Sequence, residues 1–216
     1  MIVIKHASFE HGWFYHYRVH NKKAELLNNG LNPLKNYLYH IFDDCPNEYF
    51  EKGPRGSKLR FKIGITPKEV TGHEVSLLTR YGLEQNEGRY NSNHSKVQVF
   101  MLENDDKTVA VEVPIWIKED EIEDYINIFK TREPLTGHID LLRFEDGNIW
   151  VWDYKPNAHR EEYATTQTYF YALMLSKRTG LPLNHFRCGY FDSHYAYVFK
   201  PEPNAIIRSK PISHFF

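Results

Sequence analysis

Residues Gly137–Pro156, GHIDLLRFEDGNIWVWDYKP, restrict the fold of this chain more than any other stretch. Asp146-Gly147 lies between two runs rich in β-branched and aromatic residues. It signals a two-residue hairpin turn, because such turns need positive φ at both central positions. The turn sets the register: Glu145 falls opposite Asn148, Leu142 opposite Val151, and Asp140 opposite Asp153. Alternation puts His138, Asp140, Leu142 and Phe144 on one face with Ile149, Val151, Asp153 and Lys155. Ile139 and Leu141 share the other face with Trp150, Trp152 and Tyr154. Large apolar residues on both faces predict a central hairpin covered on both sides.

Directly opposed residues have Cβ atoms about 4.5–5.5 Å apart, and like charges there are destabilising. Two facing aspartates are relieved if one is protonated, if a cation sits between them, or if a lysine neutralises them. Lys155 supplies one charge for two carboxylates, so it is incomplete alone. A divalent cation with oxygen donors, its shell completed by water, resolves the conflict. The plainer alternative is an exposed acidic pair at a sheet end that grips only solvent or an arginine.

Around the hairpin the chain alternates strand and helix signals. Thr66-Pro67-Lys68-Glu69 has the cap, proline and glutamate of a helix start, predicting a helix to about Arg80 that stops at Gly82. Asn91–Asp106 carries a good cap at Asn93 and places Val97, Phe100 and Met101 on one helical face, which favours a short helix over a strand. Thr108–Ile117 reads as a strand, with Pro114 suggesting an edge or a bulge. A helix over His159–Arg178, closed by Gly180 and Pro182, precedes strands near Phe186–Phe191 and Tyr195–Phe199. Without a strict βαβ period, this is an α/β or α+β domain on a mixed sheet. The first 50 residues mix aromatics with turn signals and give no clear element; 206–216 read as a tail.

Composition bounds the function. The chain has 216 residues, 25% charged and 15% aromatic, which suits one folded domain with an extension and excludes wholesale disorder. Apolar runs fall far short of the ~20 residues that span a bilayer, and MIVIKHASFEHG lacks the pattern of a signal peptide. No membrane association and an intracellular, cytoplasmic location are expected. Cys45 and Cys188 are too few for a disulfide framework, a four-cysteine zinc site or an iron–sulfur cluster. The net charge is −1, yet Lys52, Arg55, Lys58, Arg60, Lys62 and Lys68 form a strip with no acidic residue. Such a strip is either a solvated face or a phosphate-binding one, with Arg160 and Lys177 as further candidates.

TVAVEVPIW, PLTGHIDLL and WVWDYKP, followed by a helix containing QTYFY, together resemble the RecB-like branch of the PD-(D/E)XK nuclease superfamily over roughly Asn91–Lys200. The corresponding motifs are Asp140, then Asp153-Tyr154-Lys155, then Gln167 with Tyr171. The resemblance implies a restriction-endonuclease-like core: a central mixed sheet flanked by helices, around magnesium or manganese. It casts Asp140, Asp153 and the Tyr154 carbonyl as metal ligands, and Lys155 as the group that aids the attacking water or the transition state. A histidine ligand is implied as well. His94 is the first candidate and His73 the reserve, among 12 histidines.

Gln167 and Tyr171 lie four apart on one helical face. The resemblance turns that face toward substrate, whereas by itself Tyr171 reads as core and Gln167 as boundary. Glu112, mid-strand between apolar neighbours, either faces water or supports the site. The expected organisation is an N-terminal extension over 1–90 that contributes to substrate binding, and a nuclease-like core over 91–205. The expected function is a metal-dependent deoxyribonuclease, an exonuclease on single-stranded or end-containing DNA, in repair or recombination. Unwinding would need a helicase or repair partner. The alternatives are a non-catalytic nucleic-acid-binding or assembly module that keeps the fold, and a hydrolase of small phosphorylated compounds.

Overall fold

The hairpin forms in the expected register, with pairs from Leu141↔Trp152 to Glu145↔Asn148, and becomes the middle of an eight-stranded sheet. A computed structural model describes residues 3–28, 30–203 and 205–206; the expected tail lies outside the described residues except for Ile206. The strands are β1 (Ile4–Glu10), β2 (Phe14–His20), β3 (Lys68–Thr71), β4 (Thr108–Ile117), β5 (Leu135–Glu145), β6 (Asn148–Tyr154), β7 (Phe186–Phe191) and β8 (Tyr195–Phe199). Their order is β1-β2-β4-β5-β6-β7-β8-β3. The helices are α1 (Asn21–Ala24), α2 (Asn32–His40), α3 (Asn47–Lys52), α4 (Glu74–Gln85), α5 (Asn93–Asn104), α6 (Tyr125–Phe129) and α7 (Ala164–Thr179). The sheet is mixed: β6 and β7 run parallel, joined by a crossover that contains α7, and the other neighbours are antiparallel.

Helices cover both faces, as the doubly apolar hairpin requires. On one face Leu34 and Leu38 of α2 and Phe170, Met174 and Leu175 of α7 pack with Leu142, Val151 and Cys188. On the other, Val75 of α4 and Val97, Met101 and Leu102 of α5 pack with Val111, Leu141 and Trp152. Ile139 departs from the expected alternation and joins the α2/α7 cluster. It lies beyond the last β5–β6 pair, where the hairpin no longer dictates its face.

The α4 side also buries charge. Arg143 of β5 is fully buried; Nη2 donates to Glu74 at 2.9 Å, and Asp105 and Glu145 lie 3.7 Å from other guanidinium nitrogens. Lys107 bridges Glu74 and Glu145 at 2.7 and 3.1 Å. The start of α4 is thereby tied to the base of the hairpin.

The structure corrects several local expectations. No helix begins at Thr66: Lys68–Thr71 pairs with β8 at the sheet edge, and α4 starts at Glu74, capped by the His73 ring accepting from Val75 N–H. Edge pairing with a strand over a hundred residues away outweighs the local capping signal. Gly82 does not stop α4 but sits inside it, where a Cβ would stand 3.0 Å from Phe100 Cβ of α5. It permits close helix packing. The helix expected from His159 starts at Ala164, after a short 3₁₀ turn at Ala158–Arg160, and ends as expected at Gly180 with φ 70°. Strand β4 is interior in the sheet order, yet β2 pairs with it only at Val111 and Ala110. Pro114 therefore occupies a local edge where no ladder N–H is required, and its carbonyl accepts from Tyr37 OH at 2.6 Å.

Candidate active site

The two aspartates stand where the hairpin forks. The β5–β6 ladder ends at Leu141↔Trp152, one step short of Asp140 and Asp153. From there β5 continues only along β4, with Ile139 opposite Val113, while β6 follows β7, with Asp153 opposite Tyr190. The fork frees the Tyr154 N–H from the hairpin, and Asp140 Oδ2 accepts it at 2.8 Å. Like charges at a paired position repel, and opening the ladder there gives both carboxylates room at the floor of a cleft of about 750 Å³.

Each side chain is set by a different element. Asp140 and Asp153 are 8% and 2% exposed, so both are nearly desolvated. Lys155, just past β6, puts Nζ 2.5 Å from Asp153 Oδ2, and its N–H donates to Phe191 O of β7. From α7, Gln167 Nε2 donates to Asp153 Oδ1 at 2.7 Å and to Tyr171 OH at 3.2 Å. From α5, His94 Nε2 lies 3.7 Å from Asp140 Oδ2, and its ring meets the Tyr154 ring edge-on at 5.0 Å. Gln98, one turn further along α5, donates to Glu112 Oε1 at 2.7 Å. Glu112 sits in β4 with φ 52°, which turns its side chain into the cleft.

The electrostatics follow from burial. Desolvation, then the neighbouring Asp140 charge, pushes the Glu112 carboxyl up to about 8. Desolvation, then Asp153, raises Asp140 to about 6. Burial alone would lower Lys155, but Asp153 and Asp140 outweigh it and hold the ammonium above its usual range. With Glu112 largely protonated, Asp140 and Asp153 against one lysine remain short of positive charge.

Of the residues singled out in the sequence, the fork brings together Asp140, Asp153, Lys155, Gln167, Tyr171, His94 and Glu112, all on the cleft wall. His73 does not line the cleft; it caps α4 beside Trp152. Arg55, from the basic strip, also lines the cleft, as do Gln98, His138, Tyr15 and Arg18, which sequence reading missed as site residues. His138 shares a face with Asp140 and could have been found by alternation. Its ring stacks on Tyr15 at 3.7 Å and bonds His11 at 2.9 Å. The others arrive from distant segments and carry no local signal.

Among the described residues, no group of three or more His, Cys, Asp or Glu side chains is placed to hold a metal ion. Two adjacent carboxylates with space for water and phosphate nevertheless suit magnesium or manganese, which keep several waters and bind through one or two carboxylates rather than all-protein cages. The two cysteines are free, Cys188 buried in β7 and Cys45 near His11, and they do not cluster. No helix among the described residues is long and apolar enough to cross a membrane.

No curated protein and no solved structure matches this chain. A family model does, over residues 14–207. Its span runs from the first residue of β2 to beyond β8 and includes the whole forked hairpin. With most of its length matched, the chain belongs to the PD-(D/E)XK nuclease superfamily.

Proposed function

We propose that this chain is a metal-dependent deoxyribonuclease of the RecB-like kind, an exonuclease on single strands or duplex ends. The observation that carries the reading is the convergence of Asp140, Asp153 and Lys155 at one fork, with Gln167 holding Asp153. Asp140 and Asp153 would hold magnesium or manganese, with the Tyr154 carbonyl and His94 as further donors; the His73 ring instead caps α4 and does not line the cleft, which favours His94. A divalent cation held there polarises the scissile phosphate and acidifies water.

The chain's own groups do the rest. Lys155, anchored on Asp153, donates toward the attacking water and toward the charge that builds on the phosphate oxygens. Gln167 fixes one Asp153 oxygen and leaves the other for Lys155 and the cation. Tyr171 buttresses Gln167, and both face the DNA backbone. Glu112 supports the site from behind through Gln98. Residues 1–90 contribute substrate contacts: Arg18 and Arg55 stand on the cleft wall. The setting is DNA repair or recombination, with unwinding left to a helicase or repair partner.

The test is a gel assay on linear, circular and single-stranded DNA with magnesium, manganese or EDTA. Wild type should degrade DNA with ends and stop in EDTA. Asp140→Ala and Asp153→Ala should abolish cleavage. Lys155→Ala should lose turnover yet retain metal binding by calorimetry. Near-wild-type cleavage by either aspartate variant would overturn the assignment.

A further inference from the structure

Trp13 and Phe14, at the turn between β1 and β2, are 75% and 62% exposed, and both line the rim of the cleft. Large aromatics left in water beside a polar cleft mark a contact surface. The turn is fixed rather than free. Gly12, with φ 75°, lets Arg55 approach so closely that a Cβ would stand 2.9 Å from Nη2, and Arg55 Nη1 donates to Tyr15 OH at 2.8 Å. An aromatic pair and a guanidinium are thereby presented together at the entrance.

The cleft does not end at the carboxylates. A second groove of about 490 Å³ shares Ser57, Lys155 and Gln167 with it and continues past Arg60, Arg160 and Tyr163, with Glu161 and Glu162, the latter 3.9 Å from Lys62, also on its wall. In that groove the Arg60 guanidinium lies 5.6 Å over the Tyr163 ring. Among the described residues Arg18, Arg55, Arg60 and Arg160 make no ion pair, whereas Arg89, also on the cleft wall, is held by Glu103 at 2.8 and 2.9 Å. Unpaired arginines therefore flank the carboxylate floor on both sides, with aromatic rings at each end. That is the pattern of a single-strand track, in which cations follow the phosphates and rings stack on bases.

We infer that a single nucleic-acid strand lies across the fork, entering over Trp13 and Phe14 and leaving between Arg60 and Arg160. This deepens the nuclease reading and rests on it. The carboxylates lie nearly fully buried at the floor of a cleft of about 750 Å³, which suits a single strand better than a rigid duplex. An end-containing duplex would then deliver a melted strand.

The experiment is fluorescence anisotropy with a labelled oligothymidylate and a labelled duplex of equal length, in EDTA so that nothing is cut. Wild type should prefer the single strand. The double variant Trp13→Ala/Phe14→Ala should bind it on the order of tenfold or more weakly, the effect of losing base stacking. Trp13→Phe/Phe14→Tyr, which keeps both rings, should restore affinity. Arg60→Ala/Arg160→Ala should flatten the salt dependence, the log–log slope falling by about 0.7 for each phosphate left without its cation. Equal affinity of the double alanine variant and wild type, or equal binding of duplex and single strand, overturns the track. Cleavage by wild type in magnesium is read separately, so loss of the nuclease reading and loss of the track are distinguishable.

Discussion

Gly137→Ala tests whether the proposed catalytic carboxylates are positioned from the second layer inward. Gly137 lies on β5 opposite Ile115, and a Cβ there would stand 2.3 Å from Tyr171 Cε1 and 2.8 Å from Cζ. Carbon contacts are optimal at about 3.5–4.0 Å, so the ring must retreat by roughly 1 Å or more. Gly56 leaves room for the same ring edge, which shows how closely backbone surrounds it. Overpacking of this kind costs about 1–3 kcal/mol, or a fall in Tm of about 2–12 °C for a chain of this size. Tyr171 cannot move alone, because Gln167 Nε2 donates to its hydroxyl and to Asp153 Oδ1. A misplacement near 1 Å costs about a hundredfold in rate. Turnover should therefore collapse while the protein remains folded at 25 °C. Urea unfolding and cleavage of linear DNA measure the two effects. Adding Tyr171→Leu, which shortens the clashing side chain, should recover part of the lost stability. A Gly137→Ala protein with wild-type urea midpoint and wild-type turnover would refute the reasoning.

Asp153→Asn removes one charge at constant shape. It breaks the ion pair with Lys155 and should be less stable than wild type without metal, and it should gain much less from magnesium or manganese than the ~2.7 kcal/mol expected of wild type at a hundredfold excess over Kd; equal metal-induced shifts in paired thermal melts would place the cation elsewhere. Arg143→Met leaves the acidic cluster of Glu74, Asp105 and Glu145 without its buried guanidinium and should cost about 3–5 kcal/mol in urea unfolding. A loss within about 0.5 kcal/mol, typical of a surface substitution, would deny the network that role. Burial, then Glu48 and Asp44, pushes the Cys45 thiol up to about 12, and burial also raises Cys188 well above the usual thiol range. Both should resist a disulfide reagent at pH 8 until the protein unfolds, and rapid labelling of native protein would contradict this.

The elements legible in the sequence are those whose signal is local. Asp146 and Gly147 adopt φ 49° and 72°, so the turn dictated the register from five residues out, and with it the approach of Asp140 to Asp153. The fork itself was not legible. It depends on β4 and β7 competing for the two strands, a contest settled far along the chain. Strand β3 was hidden for the same reason, since only β8 makes Lys68–Thr71 a strand. In β2, Tyr17 and Val19 are buried while Phe14 is exposed, and seven residues dense in aromatic and histidine side chains blur that alternation. The acidic floor could be read from spacing. Arg55 and Arg160 could be singled out as basic candidates, but Arg18 could not, because β2 reaches the cleft only once the sheet has formed.

Glu112 holds a left-handed backbone in the middle of a strand, a conformation that costs about 1–3 kcal/mol in a non-glycine residue. Glycine would adopt it freely, so selection for thermal tolerance alone would drift toward glycine here and discard the carboxylate. Retention of glutamate at 112 in a laboratory lineage would then report selection on what the cleft does. Its replacement by glycine would report that the lineage had been released from that demand.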